Sequence, residues 1–322
     1  MPILQSNGYT PSYIFRNQHV NTIYPYLFRE RPHLAFQRES IETTDGDFFE
    51  VDWVHSSGKD KLVVLLHGLE GSSQSQYILG TADLFRNTGY SVAAINFRSC
   101  GGTINRGKQL YHSGFTEDLE QFLSINRHAY DQIFLIGFSL GGSVVMNYLG
   151  RKYPIGNIKI TAAAGISVPC DLLSGSIRLK KWYNYLYEQK FLSSLTQKIK
   201  NLSKINPEKF DTKNIHRIRS LMDFDNAYTA PIHGFADGLD YYETCSCLPV
   251  LKHLTVPTLL INALDDSFLT PKAFPYDIAE NHNHLYLITP RYGGHVGFSS
   301  RGVSSYWNEI QVLDFFNRYS KH

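Results

Sequence analysis

Six short, continuously apolar runs, at 62–66, 91–97, 132–138, 161–168, 258–263 and 284–288, constrain this chain more than any other feature. Runs of this length without polar alternation mark strands buried on both faces of a parallel sheet. Helix-period patterns at 77–87, 116–126 and 142–151 lie between the first of them. Parallel neighbours need a crossover, so the alternation predicts a doubly wound α/β sheet with helices on both faces. Ahead of the first run, residues 34–54 read as an antiparallel pair around the turn Thr44-Asp45-Gly46-Asp47. The first thirty residues are aromatic and basic, with no clear period. At 322 residues and 43% hydrophobic, the chain can fill one large α/β domain over 1–322.

The rhythm breaks after 168. Residues 169–254 are too long for one crossover helix and carry helix-like segments at 177–190 and 192–201, then a loop-rich part. Ligands of open α/β sheets bind beyond the carboxyl ends of the strands. This stretch is therefore expected to be a helical cap insertion over that end.

The run at 132–138 leads directly into Gly137-Phe138-Ser139-Leu140-Gly141-Gly142 and a helical pattern. G-x-S-x-G between a strand and a helix is the nucleophile elbow of the α/β-hydrolase fold. The serine sits in a sharp turn that lifts its Oγ above the sheet, and glycines let strand and helix close around it. A hydroxyl is a weak nucleophile and needs a base. In this fold the acid and the histidine follow the serine in the chain. His295, in Gly293-Gly294-His295-Val296-Gly297-Phe298 after the last run, is the candidate base. The candidate acid follows the run at 258–263, where Asp265 and Asp266 compete. Counting three positions from Ala263, with Phe268, Leu269 and Pro271 trailing, selects Asp266. Its role is to hold the imidazole tautomer. The loop His67-Gly68-Leu69-Glu70-Gly71 after the first parallel strand supplies one oxyanion-hole N–H in this fold, and the residue after the nucleophile supplies the other. Those donors are Leu69 and Leu140. His67 precedes the serine and reads as a loop-shaping residue. Tyr111-His112-Ser113-Gly114 reads first as the loop before a helix, with Ser113 or Thr116 as its cap, and second as a substrate contact.

The remaining composition narrows the field. Thirty-one Lys and Arg against 29 Asp and Glu give a net charge of +2, no electrostatic footprint for nucleic acid. The four cysteines, Cys100, Cys170, Cys245 and Cys247, lack zinc-site spacing and read as reduced thiols, and no cofactor or metal is expected. No run reaches the roughly 18 apolar residues of a spanning helix, and no signal peptide is visible, so a cytoplasmic protein without a transmembrane segment is expected.

With these residues in place, the chain resembles the YheT-like branch of the α/β-hydrolases over nearly its whole length. Arg16-Asn17-Gln18-His19-Val20-Asn21-Thr22-Ile23, Asn96-Phe97-Arg98-Ser99-Cys100-Gly101-Gly102, Tyr228-Thr229-Ala230-Pro231 and His233-Gly234-Phe235 are similar to its signatures, beside the motifs above. Ser267 stands where that branch usually has Pro, and Ser99 where Gly is common. The resemblance implies hydrolysis of lipid-like esters, as in its acylglycerol- and phospholipid-cleaving members. The expected function is cleavage of a carboxylic ester with an apolar acyl chain. Two alternatives stand beside it. One is an acyltransferase using the same acyl-enzyme with an alcohol acceptor. The other is a non-catalytic binding protein on the same scaffold.

Overall fold

The computed structural model describes residues 3–5, 8–56, 60–153 and 158–320. Among the described residues the sheet has eight strands in the order β1-β2-β4-β3-β5-β6-β7-β8. These are β1 (Gln37–Glu42), β2 (Phe48–Val54), β3 (Lys61–Leu66), β4 (Ser91–Asn96), β5 (Gln132–Phe138), β6 (Ile160–Ile166), β7 (Thr258–Ile261) and β8 (Leu285–Ile288). Strands β3 to β8 run parallel, and β1 and β2 join antiparallel at one edge. The expected parallel runs and the antiparallel pair are all present, with ends shifted by a residue or two.

The apolar runs are continuous because both faces of the sheet are covered. On β3, Leu62, Val64 and Leu66 pack with Phe122, Leu135 and Val144 on one face. Val63 and Leu65 pack with Phe85, Phe134 and Phe316 on the other. The covering helices include α2 (Gln76–Asn87), α3 (Glu117–Asn126) and α4 (Leu140–Asn147), and α1 (Gln18–Phe28) packs outside them against α2.

Between β6 and β7 lie α5 (Leu172–Leu179), α6 (Tyr185–Leu202), α7 (Leu221–Phe224), α8 (Ala230–His233) and α9 (Gly238–Cys245). The chain ends with α10 (Tyr276–Glu280) and α11 (Trp307–Tyr319). Leu192, Leu195, Ile199 and Leu202 of α6 form a separate apolar cluster with Phe210, Leu221 and Phe224. That stripe carries the helix straight through 190–192, where the sequence pattern placed a break. The break falls at 180–184 instead. There the side-chain amide of buried Asn184 donates to the carbonyls of Arg178 and Ser267, pinning a corner that periodicity does not register.

Helix α1 has no counterpart in the sequence reading. Its buried positions are Asn21 and Pro25, not aliphatic residues, so no hydrophobic period betrays it. Its start is nonetheless ordinary, because the Asn17 side chain accepts from the N–H groups of His19 and Val20 at 2.9 and 3.1 Å.

Candidate active site

Strand β5 turns into α4 within one residue. Ser139, at that turn, has φ 52° and ψ −117°, a strained conformation for a residue with a side chain. Surrounding contacts fix it: its N–H donates to the Ile166 carbonyl at 2.8 Å. A Cβ on Gly137 would lie 2.3 Å from the Gly141 carbonyl oxygen, and one on Gly141 would lie 2.4 Å from the Leu66 carbonyl oxygen. The turn can close only with glycine at both positions.

The three residues expected to act together meet. Ser139 Oγ lies 2.9 Å from Nε2 of His295, and Nδ1 of His295 lies 2.8 Å from Oδ2 of Asp266. An ionised carboxylate only accepts, so Nδ1 carries the proton and Nε2 accepts from the serine hydroxyl. The other Asp266 oxygen accepts from the Phe268 N–H at 2.9 Å. Asp265 does not reach the imidazole. It accepts from the Gly294 N–H at 2.9 Å, and burial pushes its carboxyl up to about 6, with Gly294 opposing and Asp266 adding to the shift. The Phe268 ring lies 4.2 Å from the His295 ring. The backbone N–H of His295 donates to Thr22 of α1, and that of Val296 to Ser167.

His67 is fully buried. It takes the Phe97 N–H on Nε2, and its Nδ1 donates to the Gly68 carbonyl at 2.7 Å. Burial holds its pKa down to about 4, so it is a neutral strut for the loop. Leu69 and Leu140 both line the cavity that opens over Ser139.

The sequence profile of the "alpha/beta hydrolase fold" family matches residues 61–301. The chain is 31% identical over 325 residues to the protein named "Putative esterase YheT" of Escherichia coli K12, covering 98% of this chain and 94% of that protein. This chain is an α/β-hydrolase of the YheT-like branch. It is also 28% identical to "Phospholipase ABHD3" of Homo sapiens over 309 residues, 92% of this chain and 75% of that protein. The fold of this α/β-hydrolase is shared by the Pyrococcus furiosus esterase Pf2001, with a TM-score of 0.59 at 16% identity, covering 91% of this chain and 99% of that one.

In the hydrolase, the cavity over Ser139 has a volume of about 130 Å³ and opens to solvent. Leu172, Leu179, Phe191, Leu195, Leu221 and Phe224 give it apolar walls contributed by α5, α6 and α7. One wall is polar. Asp225 accepts from Thr229 at 2.6 Å and from the Tyr242 hydroxyl at 2.7 Å, and burial pushes its carboxyl up to about 6 against those two donors. Tyr111, His112 and Ser113 also line this cavity. Thr116 does precede α3, but its side chain makes no capping bond. The stretch is thus more than a helix-capping loop.

The loop carrying Leu69 is tied to α6 through its neighbour Glu70. That carboxylate accepts from Lys198 Nζ at 2.6 Å, from the Tyr111 hydroxyl at 2.6 Å and from Ser194. Burial alone would raise Glu70, but Lys198 and these donors hold it below its usual range. Sequence reasoning found neither this strap nor Thr22, Ser167 and Asp225. Glu70 and Lys198 are 128 positions apart, and no local pattern links them.

Proposed function

We propose that this hydrolase cleaves carboxylic esters through an acyl-enzyme. Ser139 attacks the acyl carbonyl while His295 takes its proton, then returns it to the leaving alcohol. Asp266 orients the imidazole and stabilises the imidazolium. The backbone N–H groups of Leu69 and Leu140 receive the oxyanion. Water, activated by His295, then releases the acid. The observation that carries this reading is the unbroken chain Asp266–His295–Ser139, at 2.8 and 2.9 Å, beneath a cavity. Relatives named as an esterase and a phospholipase support the ester as substrate class.

In this reading residues 169–254 act as the cap within one domain, since α5, α6 and α7 wall the cavity. Apolar walls favour an apolar acyl chain at about 0.8 kcal/mol per buried methylene. With p-nitrophenyl esters, kcat/KM is expected to climb from acetate to medium chains, and a flat profile overturns the acyl-groove assignment. For the mechanism, a fluorophosphonate probe should label the wild type and not Ser139→Ala, which also loses ester turnover. Labelling or near-wild-type turnover in Ser139→Ala overturns it.

A further inference from the structure

Helix α1 and the start of α6 come together on the outside of the molecule, far apart in sequence. His19 Nδ1 lies 3.2 Å from the Tyr187 hydroxyl, with the rings stacked at 5.8 Å. Lys190 Nζ sits 3.5 Å from the centre of the Tyr26 ring. The residues of α1 at this seam, His19, Ile23, Tyr26 and Leu27, follow helical spacing, and the last three are exposed. Across the seam, Trp182 is 86% exposed, Leu186 79% and Tyr185 56%. Together they form an apolar, aromatic face turned to solvent, of the kind that marks an interaction surface.

Its charges are mostly positive. On segments 13–30 and 177–190 the exposed charged residues are Arg16, Lys180, Lys181 and Lys190 against Glu30 alone. Arg29 is paired with Glu309, and Glu188 is buried on the Leu221 N–H. Trp, Tyr and Leu interleaved with Lys is the chemistry of a face that lies in a bilayer interface. Apolar rings enter the acyl boundary there, and ammonium groups meet anionic headgroups. A protein partner would not require this pairing of aromatics with cations. No helix among the described residues is long and apolar enough to span a membrane, so the mode is surface docking.

The face also leads to the catalytic centre. The Tyr187 ring meets Phe268 edge-on at 4.9 Å, and Phe268 lies tilted against the His295 ring at 4.2 Å. Two rings separate it from the imidazole. Thr22, on α1, holds the His295 N–H. The inner sides of α5 and α6 wall the cavity.

We infer that the α1–α6 aromatic and lysine face docks the protein on an anionic lipid surface, so that ester substrate enters the Ser139 cavity from the lipid phase. The docking half stands on this surface alone, and the entry half rests on the hydrolase reading. Flotation of Ser139→Ala protein with phosphatidylglycerol/phosphatidylcholine vesicles tests docking without any turnover. Binding should exceed that to pure phosphatidylcholine by about tenfold. The Trp182 emission should shift to the blue, since Trp53 and Trp307 are already buried. Trp182→Ser/Leu186→Ser and Lys180→Gln/Lys181→Gln should each lose most of the binding. In the Ser139 background, these variants should keep wild-type turnover of p-nitrophenyl butyrate and lose turnover of a vesicle-embedded ester. Three results overturn docking: no flotation, equal binding by the lysine variant, or a wild-type dimer that Trp182→Ser/Leu186→Ser dissociates. Normal docking with no turnover of any ester overturns the hydrolase reading and leaves docking standing.

Discussion

Asp265 and Asp266 are neighbours with opposite circumstances. Asp266 is sealed against His295, whereas one oxygen of Asp265 has no partner among the described residues. Asp266→Asn should lower kcat by about four orders of magnitude, because the imidazole loses its tautomer. Asp265→Asn keeps the acceptor for Gly294 and should leave kcat within about threefold. A larger loss in Asp265→Asn than in Asp266→Asn, measured under saturating ester, would reverse the roles. Spacing alone separated the two aspartates in the sequence. The parts that Thr22 and Ser167 play in holding the histidine loop carried no comparable signal, because they depend on where the chain returns. Ser99 has a φ of 61°, the left-handed region that glycine adopts without strain. Its hydroxyl donates to the Asn105 side chain and accepts from the Asn105 N–H.

The Glu70–Lys198 strap joins the loop carrying Leu69 to α6, and each side chain is 7% exposed. Removing one partner leaves a buried charge. Lys198→Met should therefore cost about 3–5 kcal/mol in denaturant unfolding and lower kcat more than it changes KM. Glu70→Gln/Lys198→Met together should recover much of that stability, and a double variant as unstable as the single one would deny the strap its role. Strands and crossover helices were readable because burial on both faces writes an uninterrupted apolar run. Helix α1 was not, since it buries Asn21 and Pro25, and the corner at 180–184 is set by one asparagine amide.

Burial raises Asp118, Asp225 and Asp265 among the described residues, and it pushes Asp225 and Asp265 up to about 6. The folded protein holds these protons more tightly than the unfolded chain does. Their contribution is therefore fully present below pH 4 and is lost as pH rises to about 6. For Asp225 the loss is about 3 kcal/mol. Asp225→Asn should flatten the slope of unfolding free energy between pH 4 and 6 and raise Tm at pH 7. An unchanged slope would mean that the carboxyl is hydrated. The histidine loop depends on the opposite end of the chain. Asn21 accepts from the Ser299 N–H through its side chain, and its carbonyl accepts from the Ser299 hydroxyl, across 278 positions. A Cβ on Gly294 would strike the Gln18 carbonyl oxygen at 2.6 Å. At about 5–20 residues per second, synthesis delivers Asn21 well before Ser299, so the loop that carries His295 gains these contacts only after the intervening chain has emerged.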